Sequence, residues 1–178
     1  MLEFLDDEIR KAGVYEYGFV DPADVDYLQE VRDMCETNRC RRYGTSWACP
    51  PAIGTVKECK ERCLRYNTMM VFTVMYPLKR PFDYKSMKRG MQDFKQVARR
   101  VEALIRPYYP DCLMMSNESC DTCETCTYPD NPCRFPEKVH HSIEGYGIVV
   151  YDLTKKAGIK YDNGDLTITY VGAALFNI

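Results

Sequence analysis

The sequence is short of most features that make a function easy to read. It has one tryptophan, two histidines and a formal net charge of -2 over 178 residues. So slight a charge argues against a nucleic-acid binder that works by broad phosphate neutralisation. No long apolar run resembles a membrane span, and the opening "MLEFLDDEIRKAG" is acidic and amphipathic rather than a signal peptide. A cytoplasmic location is expected, with neither nucleic acid nor membrane as a partner. No glycine loop of the phosphate-cradling or dinucleotide type is present. Internal repeats and low-complexity linkers are absent too. Hydrophobic residues make up 46% of the chain, enough to bury a core without disulfides.

Cysteine is what the chain has in quantity: ten residues. Secreted disulfide scaffolds are usually shorter and carry a secretion signal, whereas clustered thiols in a reducing cytosol are mostly metal ligands or redox catalysts. Seven of the ten fall in two segments without hydrophobic periodicity. Cys120, Cys123, Cys126 and Cys133 follow C-x2-C-x2-C-x6-C. Three cysteines at every third position in a turn-rich loop can each meet a different iron of a [4Fe–4S] cubane, with a more distant fourth taking the last. The match to the bacterial ferredoxin run is partial, because the last spacing is x6 and proline follows three places after Cys133. Zinc is the chemical alternative, since four thiolates also close a tetrahedral site, but zinc usually takes two C-x2-C pairs from separate turns. Polar residues surround these thiols, Asp121, Glu124 and Asp130 among them, which leaves no apolar face to bury them as core.

Cys35, Cys40 and Cys49 follow C-x4-C-x8-C and run into Pro50-Pro51, whose fixed φ angles make a stiff exit. They predict a second metal site, one thiolate short, with Cys133, Cys59 or Cys63 as possible completions. Two all-cysteine cubanes need eight thiolates, so an iron with an open or non-cysteine ligand is the other outcome. Cys59 and Cys63 share a helix face with Val56 and Tyr66, the pattern of small core residues, and Cys112 precedes the apolar Leu113 and Met114. His140 and His141 could ligate metal or move protons, but they are read as solvated residues before a helix. The basic positions of 85–106 are read as a solvated helix face, with docking of an acidic redox partner as the alternative.

Periodicity supplies the frame. Leu2, Leu5 and Ile9 predict a short helix stopped by Gly13, and 14–20 reads as a strand. Helices are predicted over 24–34, with Val25, Leu28 and Val31 inward, and from Val56 to about Tyr66 behind a Thr55–Glu58 capping box. A buried strand at 68–76, the longest helix at 84–106 and a short strand at 112–116 follow. A helix over 142–157 ended by Gly158 and a closing strand at 166–176 complete the chain. The expectation is one α/β domain over 1–178, a central mixed sheet of about four strands packed by helices, with cysteine-rich metal-binding loops at 35–54 and 116–136.

The stretches "CRRYGTSWACPP", "CDTCETCTYPDNPCRFPEK" and "SIEGYGIVV" together resemble an uncharacterised family of predicted cysteine-rich metal-binding proteins, mainly from anaerobic bacteria and archaea. By that resemblance the seven loop cysteines fall on the family's cysteine positions. The chain has His140-His141 where the family usually has Arg-Pro. The resemblance implies metal binding and no particular reaction. The expected function is therefore that of an iron–sulfur protein of an anaerobic or microaerobic organism, with one or two [4Fe–4S] clusters, transferring electrons to or within a partner redox system. Two alternatives stand beside it: an enzyme binding a small substrate at an open iron of a three-cysteine cluster, and a structural zinc-binding interaction module.

Overall fold

The structure, a computed structural model, describes residues 2–117 and 119–178, with only the backbone of Glu3. In chain order its elements are α1 (Asp6–Lys11), β1 (Glu16–Val20), α2 (Gln29–Glu36), α3 (Val56–Cys63), β2 (Thr68–Pro77), α4 (Tyr84–Ile105), β3 (Leu113–Ser116), β4 (His141–Ser142), α5 (Val150–Lys156) and β5 (Thr167–Phe176). The strands form one mixed sheet in the order β1-β2-β5-β3-β4. Its five strands include β4, a two-residue edge that periodicity does not reveal, beyond the four or so expected.

β2 and β5 make the centre, antiparallel from Thr68 opposite Phe176 to Pro77 opposite Thr167. Alternate side chains of a strand leave opposite faces, and both faces are covered here. Met70 and Phe72 meet Ile9 of α1 and Phe94, Val97 and Val101 of α4. Met69 and Val71 meet Cys59 and Cys63 of α3 with Ile143, Tyr146 and Leu153. Double-sided burial explains why β2 reads as a continuous apolar run. The capping box forms as the sequence predicts, with Thr55 and Glu58 exchanging bonds at the start of α3.

Two predicted helices differ in extent. The stretch 24–34 becomes helical only at Gln29: Asp21 caps a 3-10 turn at Pro22–Asp24, and Val25 and Leu28 are extended. Val25 is still buried, but Leu28 is exposed, and its N–H donates to Gly147 O at 2.7 Å. The stretch 142–157 is helical only from Val150. Ahead of it lie β4 and a 3-10 turn at Glu144–Tyr146, closed by Gly147 in the left-handed region at φ +79°. A Cβ on Gly147 would stand 2.6 Å from Leu28 O, so this turn accepts glycine alone.

The sheet's far edge positions the cysteines. β3 and β4 are parallel, with Ser116 beside Ser142, so the segment carrying Cys120 to Cys133 is the excursion that links two adjacent parallel strands. The N–H of Ser142 in turn donates to Ala48 O at 3.2 Å, fixing the residue before Cys49 to the same edge. Among the described residues no helix is long and apolar enough to cross a membrane.

Candidate metal centre

Cys120, Cys123, Cys126 and Cys133 all line one narrow cavity of about 20 Å³, walled also by Trp47, Phe135 and Val139. The loop that carries them is braced by its own polar groups. Arg134 Nη1 donates to Thr125 O at 2.9 Å, Thr127 Oγ1 to Pro132 O at 2.9 Å, and the N–H of Asn131 to Thr127 O at 3.0 Å. The N–H of Thr122 points at Cys120 Sγ at 3.5 Å, the kind of donor that stabilises a thiolate on a metal. α4 holds the start of the loop: Lys95 Nζ donates to Ser119 O at 2.5 Å, and Arg99 pairs with Asp121. The basic residues of α4 are thus only partly the solvated face expected, since Arg100 also donates to Ala12 O and Arg106 pairs with Glu102.

Cys35, Cys40 and Cys49 line a separate, roomier cavity of about 320 Å³. Ser142 and Glu144 bring oxygen donors to it, and Arg39, Arg42 and Tyr43 stand at its sides. None of the proposed completions, Cys133, Cys59 or Cys63, lines this cavity; Cys133 lies with the downstream cysteines instead. Cys59 and Cys63 are fully buried in the core, as their helical spacing predicts. Cys112 is half-buried against the α4 side of the sheet. Burial pushes the Cys49 thiol up to about 11, with the Ser46 and Ser142 hydroxyls pulling the other way. Burial, then Glu144, also raises Cys35. Both thiols are therefore protonated at neutral pH until a cation displaces the proton.

The residue that aims Cys35 is one that motif reading passes over. Arg32, one turn earlier on α2, is 5% exposed. Its Nε donates to Gly145 O at 2.7 Å and Nη1 to Gly54 O at 2.6 Å, while Nη2 reaches Cys59 Sγ at 3.4 Å. One buried guanidinium thus ties α2 to the turns at Gly54 and Gly145. Trp47 joins the two cysteine segments: its Nε1 donates to Asn131 O at 3.2 Å and its ring meets Tyr128 edge-on at 5.0 Å.

The histidines are half-buried rather than solvated, and a two-residue strand beginning at His141 and then a 3-10 turn, not an α-helix, follow. His140 Nε2 lies 2.8 Å from Glu102 Oε2, and His141 Nδ1 lies 2.6 Å from Tyr146 Oη. The parallel pairing of β4 with β3 draws them in, a contact that local sequence does not encode.

Among the described residues, no three His, Cys, Asp or Glu side chains are grouped to hold a single metal ion. A cubane makes a different demand, because each thiolate goes to its own iron and the sulfurs stand apart. In donor chemistry both cysteine sets fit such a group. In room, the three-thiol cavity is the ampler, and seating a cluster at the four-thiol site requires its loop to open.

No curated protein matches the chain. Among solved structures it is similar to epoxyqueuosine reductases: that from Bacillus subtilis at 12% identity and a TM-score of 0.44, over 98% of this chain and 45% of that one. That from Streptococcus thermophilus is 14% identical with a TM-score of 0.43, over 100% of this chain and 46% of that one. The chain thus spans less than half the length of these structures. A family model described as "Predicted metal-binding protein (DUF2284)" matches residues 18–176, and the chain belongs to that family of predicted metal-binding proteins.

Proposed function

We propose that the protein is an iron–sulfur protein with two centres, one held by Cys120, Cys123, Cys126 and Cys133 and one by Cys35, Cys40 and Cys49, working in electron transfer with a partner redox protein in a reducing cytoplasm. The observation that carries this reading is the sharing of one cavity by four thiols that follow C-x2-C-x2-C-x6-C. Zinc usually takes two C-x2-C pairs from separate turns, whereas a run of three at every third position suits a cubane. Bound there, the cluster supplies one-electron transfer. The chain's own part is to hold the thiolates through the braces of Arg134, Thr127, Lys95 and Arg99 and to donate the Thr122 N–H to Cys120.

A second reading, that of an enzyme with an open iron, draws on the cavity beside Cys35, Cys40 and Cys49. No fourth cysteine lines it, and it has space for a small molecule. Protein purified without oxygen and analysed for iron, sulfide and zinc tests the common ground of both readings. Iron and sulfide in equal amounts are expected; stoichiometric zinc without them overturns both. Added cyanide or thiolate should perturb only the spectrum that Cys49→Ser abolishes, and silence there leaves electron transfer alone.

A further inference from the structure

A third cavity lies between the cysteine loop and the sheet, a groove of about 560 Å³ to which the metal centres assign no role. Trp47 and Pro132 contribute flat apolar surface, Ile53 and Val139 aliphatic surface, and Arg62 and His141 polar groups. Its volume falls within the range of small-molecule sites, which combine apolar walls with a few fixed polar groups.

The polar end is built with some care for protons. Arg62 Nη1 donates to Tyr146 Oη at 2.5 Å and Nη2 to Ile53 O at 3.1 Å. A guanidinium only donates, so the tyrosine oxygen accepts from it, which leaves the tyrosine hydrogen free to go to His141 Nδ1 at 2.6 Å. In the tautomer that accepts from Tyr146, neutral His141 carries its own proton on Nε2, which has no protein acceptor among the described residues. Burial, with the Arg62 charge, pushes this imidazole down to about 4, so it is neutral at pH 7.

Arg62 is half-buried on α3, yet no carboxylate of the described residues stands within ion-pairing distance of it. Burial works against its charge, and the leading supports are Tyr146 and Cys59. Glu58, four residues earlier on α3, acts on Arg62 only through space, its carboxylate being engaged by Thr55. A half-buried cation with no carboxylate bonded to it, beside an open groove, is a receptor for an anion.

We propose that the groove binds a small organic carboxylate with a flat apolar body, its carboxylate on Arg62 and the His141 Nε2–H and its body against Trp47. One positive charge and one neutral donor match a single negative charge, which favours a carboxylate over a phosphate dianion. Cys133 lines both this groove and the four-thiol cavity, so the occupant lies beside the centre that the cysteines hold. Asp130 stands exposed at the groove and repels an arriving anion.

Calorimetric titration of the anaerobically purified holoprotein with benzoate, benzamide and phenyl phosphate tests this, whether the cysteines hold iron or zinc. Benzoate is expected to bind at least about tenfold more tightly than benzamide. Arg62→Gln should lower benzoate affinity at least about tenfold and leave benzamide unchanged, while Asp130→Asn raises it. Equal binding of acid and amide to the unaltered protein, or no benzoate binding, overturns the proposal even if the Arg62 variant fails to fold. Tighter binding of phenyl phosphate overturns the single-charge assignment.

Discussion

Arg32 and His141 are the two single residues with most at stake. Arg32→Met takes from Gly54 and Gly145 the donor that their carbonyls share. A buried acceptor at Gly145 and a half-buried one at Gly54 left without a charged donor cost about 3 kcal/mol. The variant should unfold at lower denaturant and lose iron preferentially from the Cys35, Cys40 and Cys49 site, read as metal content against a Cys49→Ser reference. An unchanged midpoint with full loading would show that Arg32 does not position α2. His141 sets an acid limit. Folding holds its imidazole neutral, with a pKa near 4 against about 6.5 for the free side chain. Below about pH 6.5 the unfolded chain takes up a proton that the folded chain refuses. Stability is intact above that pH and falls as pH drops toward about 4, by about 3 kcal/mol in all. Thermal midpoints at pH 7 and pH 5 should diverge less in His141→Gln, whose amide oxygen still accepts from Tyr146. Equal divergence in both proteins would remove His141 from the acid response.

At the scale of elements, the excursion between β3 and β4 hangs on α4. Lys95 and Arg99 hold its first turn through Ser119 and Asp121. The Arg99–Asp121 pair is over a third exposed on both sides, and such pairs contribute about 1 kcal/mol or less. The double variant Lys95→Met with Arg99→Met should therefore leave global unfolding nearly unchanged. Amide exchange over 119–126 should quicken while that of β2 and β5 stays slow. Exchange in the four-cysteine loop should also differ between metal-loaded and metal-free protein, since a cluster needs more space than the narrow cavity gives. The element record explains what was legible beforehand. The continuous apolar run of β2, the three- and four-residue steps of α4 and the Thr55–Glu58 box are local signals, and each appears where it was expected. The helix expected over 142–157 broke because Gly147 must turn left-handed against Leu28, a partner more than a hundred residues away in the chain.

Across the whole molecule, the sheet with its two covered faces is built without any of the seven loop cysteines. Only the end of α2 and the far edge of the sheet carry them. The sequence by itself determined the two cysteine groups, the core place of Cys59 and Cys63 and the α/β character, because spacing and hydrophobic period act over a few residues and need no partner. Tertiary structure alone decided that Cys133 shares a cavity with Cys120, Cys123 and Cys126, that His140 meets Glu102 and His141 meets Tyr146, and that Arg62 lines a groove with no carboxylate bonded to it. Each of those depends on pairings such as Arg32 with Gly145, 113 residues apart. Contacts of that reach follow from how the strands order themselves in the sheet, and no local spacing carries that order.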